Sequence, residues 1–290
     1  MSVWEGFPVT YLSAVLMGIL QGVAEFLPIS SSGHLALFQH FFGVENYEET
    51  QMFFTVLLHL GTLISVFVYY WHDILDMIRE FFLLLGSLFS RKGTHEIRNT
   101  PPARRMVLLI IVATLPLFGI LPVKDYIESA MNNVTFVSVA LIATGFILFF
   151  SDRMARGRKT ARTATMTDAL LVGCAQAFGT LPGISRSGST ISAGLLRGYD
   201  RNFAVRFSFL MSLPAVLGAN ILTLKDVIEE GGIDTTLLPV YLVGMVVAAV
   251  VGYFAIRLVN LLADKGKFGA FAWYCWAAGA ASLAASILLK

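Results

Sequence analysis

The sequence predicts an all-α integral membrane protein with an inverted-topology repeat, in which each half contains a re-entrant helical hairpin and three transmembrane helices. Three observations lead to this fold class. Of the 290 residues, 56% are hydrophobic and only 14% are charged, whereas soluble domains average roughly 45–50% and about 25%. Long apolar runs recur along the chain, and one polar motif occurs twice.

Six apolar segments are long enough to cross a hydrocarbon core about 30 Å thick. They are residues 50–71, 104–122, 133–151, 203–222, 237–259 and 268–289. Two further apolar regions, 9–42 and 167–197, are broken by Pro, Gly and Ser residues. Each is too interrupted for one span and too short for two. We therefore predict two re-entrant hairpins, with tips that protein or a wet cavity must surround.

The hairpins and spans divide the chain into two halves with the same layout. Residues 1–152 contain the first hairpin and three spans, and residues 153–290 contain the second hairpin and the other three. Because each half has an odd number of spans, the second half is expected to be inverted relative to the first.

The distribution of basic residues supports this topology. If the spans alternate in direction, seventeen of the 21 Lys and Arg residues share one side, three lie on the other, and Arg186 lies in a hairpin. The positive-inside rule makes the rich side cytoplasmic and both termini external. Segment 73–90 is apolar with charges near its start. A seventh span there would move every later loop to the opposite side of the membrane and remove the excess of basic residues on one side. An interfacial amphipathic helix is therefore favoured over a span.

Composition and motifs exclude several classes of function. The two cysteines, Cys174 and Cys275, both lie in apolar segments, so a disulfide framework is not expected. The sequence shows no nucleic-acid-binding pattern, no Walker loop and no His/Cys metal motif. The first apolar run also lacks the basic start of a secretory signal.

The repeated motif lies at the break in each hairpin. Residues with the same role are separated by a constant offset of 155. The pairs are Gln21 and Gln176, Ile29 and Ile184, Ser30 and Ser185, Ser32 and Ser187, and Gly33 and Gly188. A glycine precedes each Gln by three residues. Matching breaks in the two halves of a membrane protein point to a binding site.

The first copy contains an acid, hydroxyl groups and a histidine. Gln21 and Glu25 are four residues apart and share one helix face. An ionisable group in an apolar hairpin is costly, so Glu25 is a functional candidate. His34 is a candidate general base, general acid or nucleophile, or else a structural hydrogen-bond partner. Between them, four small residues open a helix whose N–H groups suit an anion: Ser30, Ser31, Ser32 and Gly33.

The second copy supplies a fixed positive charge. An unpaired guanidinium at Arg186 would be very unfavourable within the membrane. Its expected partner is Glu25 or a phosphate, which it can bind in bidentate fashion; a purely structural bridge to Glu25 is the alternative. The surrounding phosphate-binding candidates are Gly183, Ser185, Ser187, Gly188 and Thr190. Three other polar residues, His59, Gln176 and Asn220, are interpreted as packing residues.

These motifs resemble the undecaprenyl-diphosphate phosphatase family of the bacitracin-resistance type. The first reads Gln21-x-x-x-Glu25-Phe-Leu-Pro-Ile-Ser-Ser-Ser-Gly-His34, and the second reads Pro182-Gly-Ile-Ser-Arg-Ser-Gly-Ser-Thr190. The resemblance covers the whole chain in length, span layout and motif placement. At position 21 this chain has Gln, the amide variant of a position where the family also uses Glu.

The resemblance implies hydrolysis of undecaprenyl diphosphate to undecaprenyl phosphate and inorganic phosphate. That reaction recycles the lipid carrier of peptidoglycan synthesis and confers bacitracin resistance. The family implies a bacterial plasma membrane enzyme whose site opens to the external leaflet and uses Mg²⁺ or Ca²⁺, with Glu25 as ligand or base. Ser31 is the preferred nucleophile with His34 transferring protons, and His34 as nucleophile is the alternative. A homodimer is left open.

Two other classes compete with this interpretation. Paired broken helices are typical of secondary transporters, so a flippase without hydrolysis is one alternative. Another large class of lipid phosphatases uses a similar Ser-Gly-His and Ser-Arg pattern, followed by a further His. No His follows Arg186 in this chain, so that mechanism would lack its nucleophile.

Overall fold

The computed structural model describes residues 10–42, 52–89, 101–230 and 235–288. Within these ranges the chain is helical and forms no strand, so the predicted all-α class is confirmed. The α-helices are α1 Tyr11–Phe26, α2 Ser31–Phe42, α3 Met52–Tyr69, α4 Trp71–Phe89, α5 Pro102–Thr114, α6 Lys124–Ser129, α7 Val134–Met154, α8 Met166–Phe178, α9 Arg186–Leu196, α10 Arg201–Glu230, α11 Leu238–Asp264 and α12 Phe271–Leu288.

Six helical segments in the described ranges are long and apolar enough to cross a membrane. They are Met52–Tyr69, Pro102–Val123, Val134–Met154, Arg201–Glu229, Leu238–Asp264 and Phe268–Leu288. These match the six predicted spans, and the protein is a multi-pass membrane protein. The second span continues beyond α5 as two 3₁₀ turns. Some residues of the predicted segments, 9, 50, 51, 90 and 289, lie outside the described residues.

The two broken apolar regions each form a pair of short helices. The pair α1 and α2 is interrupted at residues 27–30, and the pair α8 and α9 at 179–185. Both pairs start with a capping box, in which Thr10 exchanges hydrogen bonds with Ser13, and Thr165 with Asp168. The re-entrant placement of these hairpins and the inverted orientation of the halves stay predictions.

The first helix of each hairpin packs on a span from the other half of the chain: α1 contacts α11, and α8 contacts α5. Glycine makes both crossings close. A Cβ at Gly18 would lie 2.5 Å from the Gly244 carbonyl oxygen, and one at Gly173 would lie 2.3 Å from that of Ala113. Small residues at helix crossings allow backbones in membrane proteins to approach closely. The repeated glycine before each Gln therefore fixes how the hairpins dock.

Helix α4 covers the ambiguous segment of the sequence. It is not among the six span-length apolar helices, in agreement with the amphipathic helix predicted there. Its charged residues pair with neighbouring helices, Asp73 with Arg206 of α10 and Glu80 with Arg104 of α5. Its other face exposes large apolar side chains such as Phe82, which is 65% exposed.

Candidate functional site

The tips of the two hairpins touch each other. A Cβ at Gly33 would lie 2.8 Å from the Gly183 Cα, so the two loops meet backbone to backbone. Gly183 has a φ of +89°, which an L side chain rarely adopts. The Gly183 carbonyl accepts a hydrogen bond from the Thr144 hydroxyl at 3.0 Å. Contact between the tips brings the two copies of the motif into one site.

Both tips begin their second helix in the same way. The Ser30 hydroxyl accepts a hydrogen bond from the Gly33 N–H at 3.2 Å, and the Ser185 hydroxyl accepts one from Gly188 at 3.1 Å. These are N-cap interactions, which satisfy one of the N–H groups left without a partner at a helix start. The repeated Ser-x-Ser-Gly pattern therefore sets the starts of α2 and α9.

Glu25 lies at the centre of the site. Its Oε1 is paired with Arg186, and its Oε2 accepts hydrogen bonds from Gln21 Nε2 at 3.2 Å and the Ser31 hydroxyl at 3.4 Å. The Glu25 side chain is only 7% exposed. Ser31 and Arg186 are related by the 155-residue offset, and each is the first residue of its helix. The two repeat positions thus contact the two oxygens of one carboxylate.

A cavity of about 750 Å³ opens beside this carboxylate. Its polar wall includes seven of the predicted site residues, Glu25, Ser30, Ser31, Ser32, Ser185, Arg186 and Ser187. The remaining wall is largely apolar and comes mainly from α3, the end of the second span and α10, with Leu117, Phe118, Leu121, Val216 and Leu222 among its residues. Such a cavity suits an amphiphile with an anionic head and an apolar tail.

Five other predicted residues support this wall without lining the cavity. Gln21 binds Glu25, Gly33 and Gly183 form the contact between the tips, and Gly188 donates to the N-cap. The Thr190 hydroxyl lies within 2.6 Å of the Ser208 hydroxyl, which joins α9 to α10.

The structure does not bring His34 to the cavity. Its Nδ1 is 2.8 Å from the Ser30 carbonyl, which can only accept a hydrogen bond, so Nδ1 carries the proton. Its Nε2 then accepts from the Tyr274 hydroxyl at 2.7 Å. Ser30 has a φ of +67°, a strained conformation for a residue with a side chain. These contacts indicate that His34 holds Ser30 in place, and its role in proton transfer stays a prediction.

All three residues interpreted from sequence as packing residues line the cavity, namely His59, Gln176 and Asn220. His59 Nδ1 donates to the Thr55 carbonyl at 2.9 Å, which leaves its Nε2 as an acceptor. Only the repeat offset from Gln21 could have identified Gln176. No sequence signal distinguishes His59 from a packing residue, because its exposure depends on how α3 is rotated in the bundle.

The cavity argues against a purely structural Arg186–Glu25 bridge. A structural bridge would be enclosed, but both members line an open cavity with the serine-rich helix starts. Within the described ranges, no group of three or more His, Cys, Asp or Glu residues is placed to hold a metal ion.

Comparison with known proteins adds a family match. A family model described as bacitracin resistance protein BacA matches residues 14–281. An undecaprenyl-diphosphatase of Alkaliphilus metalliredigens is 41% identical over 281 residues, covering 96% of this chain and 100% of that protein. An undecaprenyl-diphosphatase of Methanosphaera stadtmanae is 38% identical, covering 96% and 99%. One from Carboxydothermus hydrogenoformans is 39% identical, covering 92% and 94%.

We expect Gly183→Ala to destabilise the joined tips. The new Cβ would lie 2.5 Å from the Val137 carbonyl oxygen at a positive φ, a strain of about 1–3 kcal/mol. The midpoint of thermal unfolding in detergent should fall by several degrees. Gly86→Ala is the matched control, because no atom lies within 4 Å of its added Cβ, and it should leave the midpoint unchanged or raise it. Equal midpoints for Gly183→Ala and wild type would contradict the close packing of the second tip against α7.

Proposed function

The chain belongs to the bacitracin resistance protein BacA family and hydrolyses undecaprenyl diphosphate to undecaprenyl phosphate and inorganic phosphate, and we propose that this reaction takes place in the cavity at the joined hairpin tips. One observation supports the site above all others. An acid, a hydroxyl and a guanidinium contact one another at the wall of a cavity whose other side is apolar.

The two helix starts and Arg186 would bind the diphosphate. Helix N-termini favour anions, because their N–H groups and dipoles point toward the ligand. Arg186 uses one NH2 group on Glu25, while a guanidinium carries five N–H donors in all. Phosphoryl transfer depends mainly on positioning and on charge stabilisation, and these groups supply both. The proposed binding set adds Gln21, Ser30, Ser32, Gly33, Gly183, Ser185, Ser187, Gly188 and Thr190, directly or as supports.

Ser31 would act as the nucleophile. Its hydroxyl is 3.4 Å from Glu25 Oε2, within reach of a general base once substrate tightens the contact. A phosphate bound to Arg186 would compete with Glu25 for the guanidinium and free the carboxylate to accept a proton. The Ser31 oxygen would attack the terminal phosphorus, and the bond to the bridging oxygen would break as undecaprenyl phosphate leaves. Water would then hydrolyse the phosphoserine to inorganic phosphate.

The apolar wall of the cavity would take the first isoprene units of the lipid. Leu117, Phe118 and Leu121 lie beside the polar wall, so a lipid whose phosphates reach Arg186 would lay its chain on these side chains. Burial of apolar surface would then favour a polyprenyl diphosphate over a soluble one of the same charge. A transport function without hydrolysis would not need a hydroxyl and an acid in contact.

A divalent cation, Mg²⁺ or Ca²⁺, would fit the site together with the diphosphate. Mg²⁺ in phosphate-transferring sites is held by one or two carboxylates and by substrate phosphates. Glu25, which lines the cavity, is the residue that would hold it. When bound, the cation would neutralise charge on the phosphate oxygens. Loss of activity on chelation, with recovery on adding back Mg²⁺, would test this assignment.

The cavity would open toward the external leaflet. Its apolar wall comes from residues 117–121 and from the later part of α10, which are the ends of two spans predicted to be external. The strong bias of Lys and Arg toward the opposite side supports this orientation. Both termini would then lie outside, in a plasma membrane.

Labelling with a membrane-impermeant thiol reagent tests the orientation, in a background where Cys174 and Cys275 are replaced by Ala. Tyr126→Cys, at a residue 79% exposed between the second and third spans, should be labelled in intact cells. Arg156→Cys, in the loop after the third span, should be labelled only after permeabilisation. The reverse pattern would overturn the proposed orientation.

Arg186→Ala should abolish release of phosphate from polyprenyl diphosphates. Removing one preorganised donor from a transition state costs about 10²–10³ in turnover, and this change also removes the positive charge. Arg186→Lys should recover part of the activity, since it keeps the charge but loses the planar fork. Arg206→Ala, which breaks an ion pair with Asp73 away from the cavity, should stay close to wild type. Full activity in Arg186→Ala would contradict the assigned site.

A phosphoenzyme trapped from substrate labelled in its terminal phosphate should carry the label on Ser31. Phosphoserine survives acid, whereas phosphohistidine does not, so acid stability and peptide mapping together separate the two nucleophiles. Ser31→Ala should neither turn over substrate nor become labelled, whereas Ser32→Ala should still form the labelled protein. Acid-labile label on His34 would favour the alternative nucleophile.

A further inference from the structure

Gln176 is a buried carboxamide with no visible partner. The residue is 1% exposed, and neither Oε1 nor Nε2 has a hydrogen-bond partner in the described part of the chain. A buried donor or acceptor left unsatisfied destabilises the folded protein. An apolar side chain of the same length would fill this space without that cost. The amide is therefore explained only if something binds to it.

The position of Gln176 indicates where that ligand would lie. Its side chain lines the large cavity together with Glu25 and Arg186. It also lines a small void of about 10 Å³, together with both members of the ion pair and with Thr190, Ser208 and Ser212. A void of about this size holds one water when several polar groups surround it.

The repeat explains why this amide lacks a partner. In the first copy, Gln21 Nε2 donates to Glu25, four residues later, at 3.2 Å. In the second copy the residue four positions after Gln176 is Thr180, whose hydroxyl donates to the Ala177 carbonyl at 2.7 Å. The second copy has kept the amide but has no carboxylate to receive its hydrogen bond. An anion at this point would have to come from the ligand.

We propose that Gln176 is a substrate-contact residue. Its Nε2 donates to a non-bridging oxygen of the phosphate held by Arg186, and its Oε1 accepts a hydrogen bond from one water in the small void. The bound phosphate thus takes the place that Glu25 occupies beside Gln21 in the first copy. This assignment rests on the proposed function and adds a residue from α8 to the phosphate-binding set.

Gln176→Met tests the assignment, because it keeps the length and unbranched shape of the side chain and removes both polar atoms. Three quantities are measured on purified protein: kcat/KM for a polyprenyl diphosphate, the inhibition constant of a prenyl methylenebisphosphonate, and the midpoint of thermal unfolding without ligand. Binding is measured well below that midpoint. Gln176→Glu serves as a second variant, because it places a negative charge where a phosphate oxygen is expected.

The expected result for Gln176→Met is a loss of about 10- to 150-fold in kcat/KM, the range for a hydrogen bond to a charged group. The inhibition constant should rise by a similar factor, and the midpoint should stay level or rise. Gln176→Glu should lose more activity than Gln176→Met. A purely structural role would lower the midpoint and leave the inhibition constant unchanged, and that result would overturn the proposal.

Tyr199→Phe is the matched control for removing an unpartnered atom. The Tyr199 hydroxyl is also buried without a partner in the described ranges, but Tyr199 does not line the cavity. Its variant should keep kcat/KM and the inhibition constant of wild type.

Arg186→Ala distinguishes a failure of the Gln176 assignment from a failure of the proposed site. If wild type hydrolyses the lipid and Arg186→Ala does not, normal values in Gln176→Met refute only the Gln176 assignment. If Arg186→Ala keeps wild-type affinity for the inhibitor, the proposed site itself fails.

Discussion

The ion pair between Glu25 and Arg186 is the interaction on which the site depends. It joins the two hairpins, because the acid comes from the first half of the chain and the guanidinium from the second. Neither charge would be tolerated alone at this depth of an apolar protein. The pair also lines a cavity, where in the proposed function a phosphate would exchange for the carboxylate at the same guanidinium. One interaction thus joins the two hairpins and, in the proposed function, supplies the binding group for the substrate.

The backbone around the tips makes this pair possible. Gly33 and Gly183 let the loops touch, and the serine caps fix the two helix starts on either side of Glu25. Farther out, Gly18 and Gly173 let each hairpin lie against a span from the other half. These contacts fix the tips from several directions, which is how a strained residue such as Ser30 can be maintained.

The two copies of the motif have diverged in chemistry while keeping one backbone plan. The first position of the second helix is Ser31 in one copy and Arg186 in the other, and both side chains contact Glu25. Four residues after the shared Gln, the first copy has Glu25 and the second has Thr180. In the proposed function, the nucleophile and the acid therefore come from one half, while the charge that holds the phosphate comes from the other.

The sequence by itself determined the six spans and the two breaks, because hydropathy acts locally, and the cost of a buried charge limited the expected partner of Arg186 to Glu25 or a phosphate. It could not determine which way single polar side chains face. His34, adjacent to the serine cluster, turns to Tyr274 from α12, whereas His59 and Gln176 line the cavity. Only the tertiary structure decided this, since the exposed face of a helix is set by the helices packed against it, and those lie far away in the chain.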